Sequence, residues 1–486
     1  MSSTAQVVAG ATVVAIAGAY AWQVGHRSAD PPSVPALLTL VVFGAAVWAW
    51  MGSGLDDTYV SLAAVIALIV VGVLPAEDLF AALGSELIWL MLGAFVMAAG
   101  IARTGLATRA AVALAVRARN PRQLVHLLTV GLVGTAYVVP STSARAVLAV
   151  PVFVALASVL APRRRLVKAL ALLFPTVILL SAVGSLLGAG AHLLTSQALA
   201  AATGTGIGYV GWLLPGLPLA VVSSHLAAEL LLWMFTTRED RATRVQITPD
   251  DFVDERWSSL SRPTDPLTGP LTGPLTTVQL RALVVLAGAV ALWISEPLHG
   301  ISPAVVALLG ALAVAAPRCG VVAIGPALKE VPWSLLLFLA ATLALGTALI
   351  DSGAAAWLAG RVLEPLSAAP PVVFLAVVVV LSTVLHLVVQ SRSARSSVLV
   401  PIVVALAPAA GLAPAAAAFA STAAAGFCHT LPASAKPVTV FARVDGIDTY
   451  DRSDLFRLSR VLMPLHAVLV LTFALWLWPH LGLPLT

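Results

Sequence analysis

Ser141-Thr142-Ser143-Ala144-Arg145, followed by an apolar stretch and Pro151-Val152, returns in the second half of the chain as Ser391-Arg392-Ser393-Ala394-Arg395, an apolar stretch and Pro401-Ile402. The interval from the first serine to the proline is the same in both copies. Upstream, Gly100-Ile-Ala-Arg-Thr-Gly105 and Leu349-Ile-Asp-Ser-Gly353 precede the two serine clusters at similar distances. Downstream, each copy has a break rich in Gly, Ser or Pro inside a hydrophobic segment, at Ser181 to Thr195 and at Ala425 to Pro437. Two copies are too few for a solenoid. Paired, broken apolar segments in corresponding halves instead point to a ligand site near the midplane of a membrane protein.

The surroundings of the two clusters require a membrane. The 486 residues are 60% hydrophobic and 10% charged, with mean hydropathy +0.99, whereas a soluble domain is about one quarter charged. Runs such as Val60 to Leu74, Leu87 to Ile101, Leu170 to Leu187, Val331 to Ile350 and Val372 to Val389 approach or reach the ~20 residues that cross ~30 Å of hydrocarbon. Such runs predict roughly ten to thirteen membrane-embedded segments. Val7 to Val24 has no basic residue before it and no small-residue cleavage site ahead of Pro31, so it reads as an anchor and not as a removable signal. The formal charge of +5 is not a nucleic-acid signature. Its basic residues gather in short loops, at Arg117, Arg119 and Arg122 and at Arg163, Arg164, Arg165 and Lys168, which the positive-inside rule makes cytoplasmic. Leu124 to Leu160 therefore enters and leaves on one side, as two spans or as a re-entrant hairpin. The polar stretch Thr236 to Thr277, with Pro-Leu-Thr-Gly in tandem from Pro266 to Thr276, reads as a flexible cytoplasmic linker. It divides the chain into membrane halves at 1–235 and 278–486, with a linker at 236–277. Cys319 and Cys428 are too far apart for a disulfide framework and are expected to be packing residues.

A helix break in hydrocarbon exposes backbone polar groups, so breaks of this kind line cavities. Ser141, Thr142 and Ser143 after Pro140, and Ser391, Arg392 and Ser393 after Gln390, stand where a helix restarts. Its N-terminal N–H groups and partial positive charge, with the hydroxyls, make a seat for an anion. Small residues also let membrane helices pack closely, which explains one such cluster well and a matched pair poorly. Arg145, Arg392, Arg395 and Lys436 are charges in an apolar setting and thus functional candidates. No Asp or Glu lies in either serine segment to neutralise them, and an anionic substrate could. Arg145 and Arg395, one turn into their helices, could equally snorkel to a nearby aqueous surface. His192 and His429 fall in the two breaks, as proton sensors or as interhelical contacts. Glu86, Glu229 and Asp351 are scattered and are expected to be unpaired, which argues against a carboxylate relay.

With these motifs the whole chain resembles the divalent anion:sodium symporters of the ion transporter superfamily, carriers of dicarboxylates, tricarboxylates or sulfate. That family carries Ser-Asn-Thr at the tips of two oppositely oriented re-entrant hairpins, followed by an apolar run and Pro. Ser141-Thr142-Ser143 and Ser391-Arg392-Ser393 stand at those places. The segments Gly184 to His192 and Leu431 to Pro437 match the family's Gly-rich and Pro-rich helix breaks, and Tyr450 to Phe456 leading to Leu477-Trp-Pro479 matches its C-terminal span. The resemblance implies an all-α inverted repeat with scaffold and transport domains, a homodimer, elevator-type motion and a multi-pass protein of the plasma (inner) membrane. Substrate would lie on Ser141, Thr142, Ser143, Ser391, Arg392, Ser393 and Lys436, with Arg145 and Arg395 as further candidates and the breaks at Gly184, Gly188 and Pro432 completing the pocket. No cofactor is expected; Na⁺ is the family's coupling ion. Both motif Asn residues are replaced here, by Thr142 and Arg392, and Lys436 stands where a Thr-Pro-Pro-Asn element is typical. Fixed cations repel Na⁺ and supply the charge it would bring, so weak or no sodium coupling, or exchange, is expected. Arsenite, cation antiport or citrate–metal transport in the same superfamily, and an intramembrane Ser–His enzyme, are the alternatives.

Overall fold

The computed structural model describes residues 31–52, 55–252, 274–363, 370–387, 389, 391–432, 434–444 and 446–486. The N-terminal run, most of the linker, Gln390 and Ala433 lie outside these residues. The described chain is helical, with a single isolated bridge between Val444 and Ile447. In hydrocarbon this is forced, because a helix satisfies its own backbone hydrogen bonds within one segment. Seven helices are long and apolar enough to cross a membrane, and five shorter apolar helices accompany them. Together they fall within the number expected.

The N-terminal half runs α1 (Val34–Gly52), α2 (Asp57–Val70), the short α3 (Ala76–Leu83), α4 (Glu86–Arg103) and α5 (Leu106–Ala115). A helix–break–helix unit follows, α6 (Pro121–Gly134), a 3₁₀ turn at Thr135–Tyr137 and α7 (Thr142–Val159). Next come α8 (Arg164–Ser181), a broken stretch, α9 (Gly190–Thr203) and α10 (Tyr209–Phe235). The C-terminal half begins with α11 (Thr277–Ile294), α12 (Pro303–Val314), α13 (Trp333–Asp351) and α14 (Ala354–Leu363). Its own helix–break–helix unit is α15 (Pro371–Val384), a 3₁₀ turn at Leu385–Leu387 and α16 (Arg392–Leu406). The chain then continues through α17 (Pro414–Ala424), a second broken stretch, α18 (Lys436–Ala442) and α19 (Arg452–Thr472).

The two units match in detail. α6 and α15 are each 14 residues long and each ends in a three-residue 3₁₀ turn. Ser141 and Ser391 then cap α7 and α16, each accepting at Oγ from the amide three residues on, Ala144 or Ala394, at 3.3 Å. Such a cap satisfies one of the four free amides at a helix start. Pro151 and Pro401 lie at the same register inside α7 and α16 and remove the same backbone donor from each.

Apolar side chains gather in a small cluster of Ala36, Phe43, Leu349, Ala354 and Ala355 and in two large cores. One joins α2, α4, α12, α13, α15, α16 and α17 with α9 and the first half of α10. The other joins α6, α7, α8 and the second half of α10 with α18 and the start of α19. Apart from the turn between α4 and α5 and the linker, the chain passes from one core to the other at four places. Two are the broken stretches between α8 and α9 and between α17 and α18. In α10 the passage falls at Ser223 and Ser224, and in α19 at His466, all three buried. The breaks therefore lie in a polar layer between two apolar bodies.

Candidate functional site

Arg392 lies in this layer between the two broken stretches. Its Nη2 lies 2.8 Å from His192 Nε2, at the start of α9, and reaches the Thr422 carbonyl of α17 at 3.5 Å. A guanidinium only donates, so His192 Nε2 accepts and its Nδ1–H is given to the Ser185 carbonyl at 2.9 Å. His192 is thereby held neutral, stacked on Trp212 with centroids 4.9 Å apart. It orients the arginine and is not free to act as a proton sensor. Gly426 closes the other side: a Cβ there would sit 3.3 Å from Arg392 Nη2. Ser393 faces the start of α9, its Oγ 3.5 Å from where a Cβ on Gly190 would lie. The Thr195 and Thr422 hydroxyls, hydrogen-bonded to each other, pin α9 to α17 beside it.

The two arginines that end the serine motifs do related work. Arg145 is buried and gives Nε to Thr135 Oγ1 (2.8 Å), Nη1 to the Ile178 carbonyl (2.9 Å), and Nη2 to the Leu132 carbonyl and Ser181 Oγ (both 2.7 Å). It ties the first unit to the end of α8 just before the break. Tyr137, whose hydroxyl donates to the Gly184 carbonyl at 2.9 Å, adds a second tie. Arg395, also buried, reaches the Phe427 carbonyl (3.4 Å) and Cys428 Sγ in the second break. Neither arginine snorkels to a surface.

Gly184 and Gly188 are glycine because protein closes on them. A Cβ on Gly188 would meet the Ala182 carbonyl oxygen at 2.1 Å, and one on Gly184 the Tyr137 hydroxyl at 2.9 Å. The carbonyl of Pro432, in the second break, accepts from Thr439 Oγ1 at 2.8 Å. Lys436 is exposed at the start of α18, and its charge acts on Asp56 and Asp57, the cap and first residue of α2, the second of which is bonded by Ser391. Bonded chiefly by Thr58 and helped by Lys436, the Asp56 carboxyl titrates below its ordinary value. Ser141, Thr142 and Ser143 share no hydrogen bond with Ser391, Arg392 or Ser393 among the described residues. The structure thus brings Arg392 and Ser393 together with the first break and α17.

The electrostatics of the layer are one-sided. Ten buried side-chain polar atoms lack a hydrogen-bond partner among the described residues. Arg392 contributes two of them, Nε and Nη1, and Arg395 Nε, His429 Nε2, His466 Nδ1 and Ser185 Oγ one each. A buried polar group left unpaired costs about 1–3 kcal/mol, and more when charged. The ion pairs among the described residues lie elsewhere, Arg103–Glu330, Arg122–Glu229, His126–Glu229 and Lys168–Asp454, so no carboxylate is paired with Arg392 or Arg395. Unpaired donors with fixed positive charge favour a bound anion, and the Asp57 carboxyl at the edge of the layer is bonded by Ser391 and paired with neither arginine. A separate cavity of about 230 Å³ opens one turn along α16, bounded by α9, α13 and α3 and lined by Ser396, Ser397, Gln197, Thr347 and Asp78. It holds no basic side chain and adjoins the arginine layer.

Two expectations are corrected. Glu229 is paired, with Arg122 and His126 both at 2.6 Å, because α6 and α10 set residues far apart in sequence side by side. Cys319 is exposed and not packed. Cys428 is buried as expected, yet its sulfur partners Arg395. The buried His386 and His466 were passed over in the sequence, although any intramembrane histidine is a signal. His386 links Thr430, and through it Ser459, to the second unit (2.6 and 2.7 Å).

A helical bundle with paired helix–break–helix units and a charged polar layer between apolar cores defines a polytopic membrane transporter. Residues 32–483 match the sodium:sulfate symporter transmembrane region, and the chain belongs to that family. As a family of transporters it sets aside the intramembrane-enzyme alternative. A protein of Cupriavidus necator described as a membrane protein is 24% identical over 323 residues, 65% of this chain and 60% of that one. The match thus spans less than two thirds of that relative's length. Among solved structures, the Alcanivorax borkumensis YdaH transporter superposes with a TM-score of 0.53 at 16% identity, over 93% of this chain and 98% of its own. Neisseria gonorrhoeae MtrF, described as illuminating a class of antimetabolite efflux pumps, gives 0.51 at 14% identity, over 94% and 97%. At these identities the two structures speak for the fold alone.

Proposed function

We propose that the chain is a secondary permease for small divalent or carboxylate anions, with Arg392 as the principal charge that receives the substrate. The observation that carries this reading is the buried Arg392 guanidinium, held from one side by neutral His192 and left with two unpartnered N–H groups. Ser393, Arg395 and the second break supply neighbouring donors, and Ser391 links the layer to Asp57. The first unit, fixed by Arg145, walls the layer from the other core. The two units act as re-entrant hairpins whose site is exposed alternately to each side, with the basic loops at Arg117 and Arg163 on the cytoplasmic face of the plasma membrane. An elevator-type movement within a homodimer accords with the family. A resident guanidinium does the work that a sodium ion does beside a neutral Asn, so uptake is weakly coupled to sodium or independent of it.

Proteoliposomes containing the purified protein, loaded with and without counter-substrate, test both parts. Uptake of labelled succinate or sulfate that changes less than about twofold when an inward Na⁺ gradient is imposed, and that is lost in Arg392→Gln, is the expected result. Uptake of either anion at the wild-type rate by Arg392→Gln refutes the site. Steep Na⁺ dependence refutes the coupling.

A further inference from the structure

Away from the arginine layer, α6 and α10 are joined by a line of titratable groups that the permease reading does not use. His126 on α6 places Nδ1 2.7 Å from His225 Nδ1 and Nε2 2.6 Å from Glu229 Oε1, both on α10. Arg122 Nε donates to the same carboxylate oxygen at 2.6 Å. The two imidazoles lie 5.0 Å apart between centroids, inclined by 30°. His126 and Glu229 are about one third exposed, at 29% and 38%, and Arg122, at the start of α6, is mostly exposed. His126 turns its two nitrogens in opposite directions, one to an imidazole and one to a carboxylate. The donors therefore form a line and do not converge on a point, and a metal ion has no place in it.

Counting protons shows what the line can do. With both imidazoles neutral, His225 Nδ1–H donates to His126 Nδ1 and His126 Nε2–H donates to Glu229. Every contact is made. Adding one proton makes His126 a double donor, to His225 Nδ1 and to Glu229, while His225 moves its own proton to Nε2. Every contact is still made, and the new charge sits against the carboxylate. A second proton sets two N–H groups against each other across 2.7 Å and breaks the bond between the helices. The charges acting on His225 are His126 and Glu229, and those acting on Glu229 are Arg122 and His126. Charged groups on neighbouring elements are engaged elsewhere. Lys168 on α8 holds Asp454, Arg109 on α5 bonds Gln279, and Arg281 on α11 bonds the Cys319 carbonyl. Arg457 on α19 lies over Phe235, and Asp240, in the short helix after α10, turns back on Thr237. Arg238, Glu239 and Arg241 of that short helix share no hydrogen bond with the four residues among the described residues.

We propose that His126, His225 and Glu229 form a proton-binding site that holds the outer arm of the first helix–break–helix unit against α10, keeping it closed with none or one proton bound and releasing it with two. Its effect on transport rests on the permease reading, whereas the release of α6 does not. Hydrogen–deuterium exchange of residues 121–134 in the purified full-length protein, corrected for the intrinsic pH dependence of exchange, reads the release directly. Between pH 8 and pH 5, across the imidazole range near ~6.5, wild-type exchange is expected to quicken about tenfold or more. His225→Asn keeps a partner for His126 but takes no proton, and should hold α6 slow at both pH values. His225→Phe has no polar partner and should be fast at both. Equal wild-type protection at pH 8 and pH 5, or a pH response that survives in both variants, overturns the proposal. Proteoliposome uptake of succinate should lose its acid dependence in His225→Asn while staying within about twofold of wild type at pH 8. If wild type carries no anion, the permease reading fails and the exchange result still decides the proton site.

Discussion

Arg145 and Arg392 stand in near-identical sequence, yet replacing each by Gln should have very different consequences for stability. Arg145 makes four hydrogen bonds at 2.7–2.9 Å to Thr135, Ile178, Leu132 and Ser181. A hydrogen bond to a charged group contributes about 1.5–3 kcal/mol, and removing one partner of a buried charged cluster typically costs ~3–5 kcal/mol in all, since the bonds are not additive. Gln is shorter and cannot bridge four acceptors, so Arg145→Gln should destabilise by roughly that amount. Arg392 makes one good bond, to His192 at 2.8 Å, and one marginal bond at 3.5 Å. Removing it gives up about 1.5–3 kcal/mol and relieves about 2.5–3.5 kcal/mol for a charge held within the membrane. Without ligand, Arg392→Gln should therefore unfold within about 1 kcal/mol of wild type, or be slightly more stable. Thermal unfolding of the purified variants in detergent, with and without millimolar succinate or sulfate, measures both quantities. Ligand raises the melting temperature of wild type through binding to the folded state, and that rise should vanish in Arg392→Gln. Equal destabilisation by the two substitutions, or an unchanged ligand response in Arg392→Gln, would refute the division of labour between the arginines.

Gly188→Ala and Gly426→Ala separate packing from binding. The first places a Cβ 2.1 Å from a carbonyl oxygen and should sharply lower the yield of folded protein in size-exclusion chromatography, whereas the second meets the Ala423 carbonyl oxygen at 2.9 Å and Arg392 Nη2 at 3.3 Å, so it should lower the yield less and raise the KM for the anion in the protein that folds. Asp451 caps α19 by accepting from Asp454 N at 2.9 Å, and the Ser453 hydroxyl bonded to it holds its carboxyl below the ordinary range. Asp451→Ala should cost about 1 kcal/mol at neutral pH. A carboxyl lowered on folding gives stability above its unfolded value and loses it as pH falls through the folded one, so the difference from wild type should shrink below about pH 4.

Much of this architecture was legible in the sequence because local causes produce it. Apolar runs gave the helices, and the matched Ser-x-Ser-Ala-Arg spacing gave two capped helices with a proline at the same register. The breaks were legible from Gly188 and from Pro432 to Pro437. What the sequence withheld are the partners. Nothing within Ser141 to Arg145 says that Ile178 and Ser181 will absorb that arginine's donors, nor within Ser391 to Arg395 that Arg392 will meet a single histidine from 200 residues away. The same limit hid Glu229, whose partners on α6 lie about a hundred residues earlier. Nor does the sequence around Lys436 say that its charge will act on Asp56 and Asp57, some 380 residues earlier, the second of which is bonded by Ser391. Charge in a hydrophobic sequence marks a place worth asking about, and only the facing helices say whether it is already answered.

The two separate cores also bear on how the protein is made. The core around α6, α7 and α8 is completed by Phe427, Phe441 and Leu455 to Leu462, which leave the ribosome about 250 residues after Leu180. At ~5–20 residues per second, the first unit then waits roughly 12–50 s for the residues that finish its packing. Throughout that interval Arg145 and its bonds to α8 are already local and available, while the faces awaiting α18 and α19 are bare. Assembly of the first unit depends on what shields those faces during synthesis, and truncation between the linker and Phe427 should leave them exposed.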